Sequence, residues 1–300
     1  MTEPSWAKGP PKKILLATDL SPRCDRALDR AAQLCRQWNA GLLALHVLDP
    51  AENFLERNYL DELPSWRRPP DRQALAEARL RRDLPEGVEA LSVRVEEGDP
   101  AKVIDELARE EGCDLIVIGV ARDETLGRVF LGATVDRLVR RTSTPILIVK
   151  SRPRPYREIV VATDFSDSSR HALQAAASFF PDAGLTLLHA YEVPFAGFLD
   201  KGDFRDQYQA MEREACERFV DGSGLSEAQR RNLQTLVEYG APERMIRLYM
   251  EDRGADLVAL GTHGHSAAFD VLIGSTAKRI LESVPGDVLL VREPRAAVRR

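Results

Sequence analysis

No stretch of this chain is apolar for long enough to cross a bilayer. The opening residues, Met1 to Lys13, are polar and Pro-rich and hold no apolar core of a secretory signal. The sequence therefore reads as cytoplasmic, with no membrane partner. A basic excess is also missing, because 42 Lys and Arg stand against 47 Asp and Glu, a net charge of −5. A protein that lives on phosphate-backbone contacts carries a basic excess or a basic face, so no nucleic-acid partner is expected. The locally Arg-rich stretch from Arg67 to Arg82 reads as a solvated loop and helix face. The four cysteines, Cys24, Cys35, Cys113 and Cys216, form no CxxC pair. On a helix Cys24 and Cys35 would share a face yet stand about 16 Å apart, too far for a disulfide. Reduced thiols are the expectation.

What the chain has is a length of 300 residues, 44% of them hydrophobic and 30% charged, which suits one large globular domain or two ordinary ones. It is also written twice. Lys13-Ile-Leu-Leu-Ala-Thr-Asp19-Leu-Ser21 recurs as Glu158-Ile-Val-Val-Ala-Thr-Asp164-Phe-Ser166, and the segment around His46 recurs around His189. Farther on the register has no gaps: Gly98, Pro100, Ile104, Gly119, Gly132 and Val149 meet Gly240, Pro242, Ile246, Gly261, Gly274 and Val291. The unit is far longer than a solenoid repeat, so each copy is a domain. The division falls at residues 1–151 and 152–300, with Ser151-Arg-Pro-Arg-Pro155 as a short, stiff polar linker.

Each copy alternates strand and helix. Short apolar, branched runs read as strands buried on both faces: Ile14 to Ala17, Leu42 to Leu48, Ala90 to Val95, Leu115 to Ile118 and Ile146 to Val149. Their mates are Ile159 to Ala162, Leu185 to His189, Leu233 to Val237, Leu257 to Leu260 and Val288 to Val291. Helices lie between them. Ala27, Leu28, Ala31, Ala32, Leu34 and Cys35 have helical spacing, and Asp99-Pro100 opens another helix with an Asp cap and Pro at the first position. Strands alternating with helices make a parallel α/β sheet with helices on both faces. The long stretches from Pro50 to Gly87 and from Val193 to Asn232 each predict a helix plus an excursion.

After the fourth strand of the second copy comes Gly261-Thr-His-Gly264, and later Gly274-Ser275-Thr276 opens a helix from Ala277 to Glu282. Such a loop leaves the carboxyl end of a buried strand, where open α/β sheets bind ligands. Gly261 and Gly264 are expected to allow positive φ and close approach to a ligand. A helix N-terminus offers unpaired N–H groups to phosphate, and Ser275 and Thr276 add hydroxyls. Asp164 closes the first strand, and a carboxylate suits ribose hydroxyls better than phosphates. The blander alternative makes Asp164 a helix cap and the glycines loop punctuation.

The spacing Gly261-x2-Gly264-x9-Gly274-Ser275 resembles the nucleotide signature of the universal stress protein family. Ala162-Thr163-Asp164-Phe165-Ser166 and Leu188-His189-Ala190 resemble its first- and second-strand endings, and the likeness covers both halves. It implies two doubly wound domains, each a five-stranded parallel sheet of order 3-2-1-4-5. It implies ATP as ligand, with Ala162, Thr163 and Asp164 near the adenosine and Asp164 on the ribose. Ala190 would face adenine, and Leu260, Gly261, Gly264, Gly274, Ser275 and Thr276 would wrap ribose and phosphates. Mg²⁺ or Mn²⁺ could accompany ATP, held mainly by phosphates and water. Single-domain relatives commonly dimerise, so the two copies would form an internal pseudo-dimer, with a homodimer of chains as a further option.

The first copy departs from this pattern. Asp19, Gly119 and Gly132 are kept, but Arg122 stands for the second glycine and Ala133 for the serine, so weak or no ATP binding is expected there. No residue reads as catalytic and none as a metal site: His263 and His265 alone make no ligand cluster, and the Walker pattern Gly-x4-Gly-Lys-(Ser/Thr) is missing. The leading expectation is a nucleotide-binding stress protein whose ligand changes its conformation or partners. A slow ATP hydrolase or nucleotide-transfer enzyme, and a scaffold with a vestigial site, are the alternatives.

Overall fold

The computed structural model of the chain describes residues 6, 9–50, 71–84, 87–88, 91–122, 129–130, 132–192, 203–262 and 273–292. The apolar runs become strands. The first half runs β1 (Lys13–Thr18), α1 (Asp25–Trp38), β2 (Gly41–Leu48), α2 (Arg72–Asp83), β3 (Leu91–Glu97), α3 (Pro100–Glu110), β4 (Leu115–Gly119), β5 (Ala121–Arg122), β6 (Val129–Phe130), α4 (Ala133–Arg141) and β7 (Ile146–Val149). The second half runs β8 (Glu158–Thr163), α5 (Asp167–Phe179), β9 (Gly184–Tyr191), α6 (Asp203–Asp221), α7 (Glu227–Arg231), β10 (Leu233–Tyr239), α8 (Pro242–Arg253), β11 (Leu257–Gly261), α9 (Ser275–Ser283) and β12 (Asp287–Val291).

Ile14, Leu15 and Leu16 are all fully buried, because alternate side chains of β1 enter opposite layers. Ile14 and Leu16 join the core layer that holds α1 and α5, whereas Leu15 and Ala17 join the opposite layer, which holds α3, α4, α8 and α9. Each such Ile or Leu contributes roughly 1.5–3 kcal/mol of burial, so an uninterrupted apolar run is what a strand covered on both faces requires. Sheet order is β10-β9-β8-β11-β12-β7-β4-β1-β2-β3. Each half thus has the order 3-2-1-4-5 that the resemblance implies, with parallel pairing throughout.

The two halves join where β12 pairs antiparallel with β7, through Val288–Ile148, Leu289–Leu147 and Leu290–Ile146. One set of contacts across this seam is roughly reciprocal. Lys150, just past β7, donates its Nζ to the carbonyls of Leu281 and Val284 at the end of α9. Arg292, its counterpart past β12, donates to the Arg140 carbonyl at the end of α4, 2.6 Å away. Cations at helix C-termini meet carbonyls without intrahelical partners. The linker is fastened as well: the Ser151 N–H and hydroxyl donate to Asp287 Oδ1 at 2.9 Å each, and the Arg152 and Arg154 carbonyls accept from Arg30.

Local signals held at several points. The Asp99 side chain caps α3 by accepting from the Lys102 N–H. The Arg-rich stretch includes α2, whose outward face carries the pairs Arg79–Asp83 and Arg81–Glu77. The final helix starts two residues earlier than expected, at Ser275, with Gly274 as its N-cap. Cys24 sits before α1 in a short 3-10 turn, and all four cysteines are buried and free. The excursions after β2 and β9, at 51–70 and 193–202, lie outside the described residues. No helix among the described residues is long and apolar enough to cross a membrane.

Candidate functional site

β8 lies between β9 and β11, so the chain order reverses direction there and a crevice opens beyond the strands' carboxyl ends. A cavity of about 340 Å³ fills it. Ala162, Thr163 and Asp164 enter from the end of β8, Ala190 from β9, Leu260 and Gly261 from β11, and Gly274, Ser275 and Thr276 from the start of α9. Nine of the ten residues named from sequence therefore meet around one space. The tenth, Gly264, lies outside the described residues, as do His263 and His265.

Asp164 is held by a turn. Its Oδ1 accepts from the Ser166 N–H at 3.1 Å and the Ser166 hydroxyl at 2.5 Å. The cap of α5 is Ser166 itself, which accepts from the Ser169 N–H, so the carboxylate is not the helix cap. Phe165, between them, has φ 65°. A left-handed conformation costs a residue other than glycine about 1–2 kcal/mol. Two bonds offset that cost: the Asp164–Ser166 link and the Phe165 N–H to Thr163 Oγ1 at 2.9 Å. The first half repeats the device at Leu20, with φ 60°, between Asp19 and Ser21: the Leu20 N–H donates to Thr18 Oγ1 and the Ser21 N–H to Asp19 Oδ1. His189 orients the same corner. Its Nδ1 lies 2.8 Å from the Thr163 carbonyl, its Nε2 3.3 Å from Glu212, and Phe165 stacks on its ring at 4.1 Å. His46 likewise bonds the Thr18 carbonyl at 2.9 Å. Both histidines satisfy backbone groups, as their strand-end positions suggest.

Gly261 is not a positive-φ residue among those described, which corrects the expectation for it. A Cβ there would stand 2.6 Å from the Ser168 carbonyl carbon and 2.8 Å from the Ser169 N–H. Glycine is required because β11 ends against the backbone of α5, not for a left-handed turn. Gly274 differs again, since φ −55° and ψ 141° suit many residues and a Cβ would meet only the Thr262 carbonyl, 3.7 Å away. Its N–H closes the loop onto that carbonyl at 3.0 Å. No side chain caps α9, so its first N–H groups face the cavity as donors for an anion.

Lining residues that sequence did not assign to the site include Pro242 and Ile246 of α8, Ile280 of α9 and Ser169 of α5. Pro242 and Ile246 were visible as repeat mates of Pro100 and Ile104, and their recurrence was the signal that could have placed them. The resulting space is apolar where α8 meets β9 and polar where α9 begins. That division suits a flat ring at one end and an anion at the other.

The first half builds a matching cavity of about 290 Å³, lined among others by Asp19, Cys24, His46, Gly119 and Gly132. Its loop after β4 includes the short β5–β6 hairpin. The side chain of Arg122 lies outside the described residues.

The two halves also match one family separately. The model of the universal stress protein family matches residues 10–150 and again 155–292. Universal stress protein Slr1230 of Synechocystis sp. is 24% identical over 306 residues, covering 94% of this chain and all of that protein. Universal stress protein MJ0531 of Methanocaldococcus jannaschii is 28% identical over 153 residues, 49% of this chain and 89% of that one. Among solved structures, a putative universal stress protein from Pseudomonas aeruginosa matches with TM-score 0.63 at 22% identity, over 96% of this chain and 94% of that one. One from Archaeoglobus fulgidus gives 0.63 at 17% identity, over 94% of this chain and 99% of its own. At these identities the structures bear on the fold, whereas the family model covers nearly the whole sequence. The chain belongs to the universal stress protein family, which it matches once in each half.

Proposed function

We propose that the second-half cavity binds ATP or a close adenine nucleotide, and that occupancy alters the chain's conformation or partners during stress. What carries this reading is the convergence of Asp164, Ala190, Gly261 and the uncapped start of α9 on one cavity. In this arrangement adenine lies by Ala190 and Ile246, the ribose hydroxyls meet Asp164, and the phosphates take the N–H groups and hydroxyls of Ser275 and Thr276. Helix-terminal charge supplies about 0.3–2 kcal/mol of phosphate affinity, so most of the binding energy comes from hydrogen bonds and ring burial. Mg²⁺ or Mn²⁺ would ride on the phosphates and water.

The β7–β12 seam is read as an internal pseudo-dimer. Its antiparallel pairing and the reciprocal contacts of Lys150 and Arg292 support that reading, since a two-fold interface repeats each contact in both directions. Buried free cysteines agree with a cytoplasmic protein.

The test is thermal unfolding of protein freed of nucleotide, with ATP, ADP and AMP. At ligand near 100 times Kd the stabilisation should approach about 2.7 kcal/mol. An unchanged Tm with all three would favour a scaffold with a vestigial site.

A further inference from the structure

The turn that presents Asp164 is held by α6 as well as by its own hydrogen bonds. One face of α6 carries Glu212, Cys216 and Phe219, at the i, i+4, i+7 spacing of neighbours on a helix. Phe219 is buried and packs against Phe165, with ring centres 5.7 Å apart. Phe165 is the left-handed residue of the turn, and its ring also stacks on His189. Glu212 reaches His189 itself, 3.3 Å from Nε2. The same ring turns Nδ1 to the carbonyl of Thr163, the residue before Asp164, at 2.8 Å. α6 therefore grips the Thr163–Asp164 corner twice, through Phe165 and through His189.

His189 stands between two acceptors. A neutral imidazole has one N–H and one lone pair. The ring therefore satisfies Thr163 and Glu212 together only with a proton between Nε2 and the carboxylate. It is then fixed from both ends, and the Thr163 carbonyl with it. The next residue, Asp164, is held through Oδ1 alone, so the direction of its other oxygen depends on the backbone that Thr163 sets. The first half lacks the arrangement. His46 bonds the Thr18 carbonyl, but among the described residues no carboxylate pairs with it, and Leu20 offers no ring at the place of Phe165.

Resting on the adenine-nucleotide reading of the second cavity, we propose that Glu212 and His189 are positioning residues for that ligand. They set the Asp164 carboxylate for the ribose hydroxyls through the Thr163 backbone. Neither side chain lines the cavity, so both act through the corner and not by touching the nucleotide. Ribose selectivity is the property they govern, because Asp164 is the one carboxylate among the described lining residues.

The experiment compares ATP with 2′,3′-dideoxy-ATP, which lacks both ribose hydroxyls, by calorimetry on full-length, nucleotide-stripped protein. Wild type should prefer ATP. Glu212→Ala should weaken ATP by about tenfold, the scale of one lost supporting hydrogen bond, and leave the dideoxy nucleotide nearly unchanged. Glu212→Gln should restore the preference, because its amide donates to a neutral Nε2 while the Nδ1–H keeps the Thr163 carbonyl. Glu212 is partly exposed, so neither change opens the core, and melts without ligand should stay near wild type. Equal affinity of wild type for the two nucleotides, equal loss of both in Glu212→Ala, or a Gln variant as poor as the Ala one would overturn the positioning role. No ATP binding by wild type would overturn the nucleotide reading and the positioning role together. ATP bound by wild type, with its preference intact in Glu212→Ala, would overturn only the latter.

Discussion

The Arg30 guanidinium lies 3.1 Å from the Asp287 carboxylate, and both side chains are fully buried. Arg30 comes from α1 of the first half and Asp287 opens β12 of the second, so the pair locks the seam between them. Tyr156 donates its hydroxyl to Asp287 at 2.5 Å and lies under Arg30, whose guanidinium is 4.1 Å from the ring centre. Burial, then the neighbouring Asp287, push the Tyr156 phenol well above its ordinary range, so it remains a donor. Removing one partner of such a pair strands a buried charge at a cost of about 3–5 kcal/mol. Arg30→Ala and Asp287→Ala should each lose that much in urea unfolding. Replacing both with apolar residues of similar size should recover only part of it, because the Lys150 and Ser151 N–H groups and the Tyr156 hydroxyl would lose their acceptor. Single variants within about 1 kcal/mol of wild type would show that the seam does not depend on the pair.

Two glycines of the same motif should behave differently. Gly261→Ala forces a Cβ against the backbone of α5, and overpacking of that kind costs about 1–3 kcal/mol. Gly274→Ala meets no close neighbour and changes an N-cap by no more than about 1 kcal/mol. Thermal melts of the two variants should separate them. Nucleotide affinity should fall in Gly274→Val, whose bulk enters the cavity at the start of α9. Equal loss of stability in Gly261→Ala and Gly274→Ala would contradict the distinction.

The motif's spacing was legible in sequence, but the reason for Gly261 was not. Glycine serves left-handed turns and close approach alike, and only the position of α5 decides between them. Strands were legible because burial on both faces leaves uninterrupted apolar runs, as at Ile14 to Leu16. Pro242 and Ile246 recur as mates of Pro100 and Ile104, but their place in the cavity wall follows only from the path of α8 over it. Arg30 and Asp287 were invisible for a related reason: each is one charged residue in its own segment, and no periodicity links positions in different halves.

The thiols should be inert while the fold persists. Burial pushes Cys24, Cys113 and Cys216 up to about 11 and Cys35 up to about 12. The thiolate is the reactive form, so a disulfide-exchange reagent at pH 8 should modify almost none of the four until denaturant is added. The sign for stability follows. A raised folded value stabilises fully below the unfolded thiol value and is lost as pH rises through about 11 to 12. Rapid modification of native protein would contradict the buried placement.

Asp19 predicts the opposite pH limb. Its folded value is lowered, with the bonds from Ser21 and Cys24 outweighing burial. Its contribution is therefore present above the ordinary carboxylate value and lost as pH falls through the lowered one. Between about pH 5 and pH 2, wild-type stability should fall more steeply than that of Asp19→Asn. Parallel acid profiles, measured by urea unfolding at each pH, would remove Asp19 as a stabilising group.

The claim that the second half alone holds a nucleotide is met most directly by counting. Native mass spectrometry of nucleotide-stripped protein titrated with ATP should show one ATP per chain, lost in Ala190→Phe, which fills the ring end of the second cavity. Two equivalent ATP molecules per chain, or a single one undisturbed by Ala190→Phe, would contradict it.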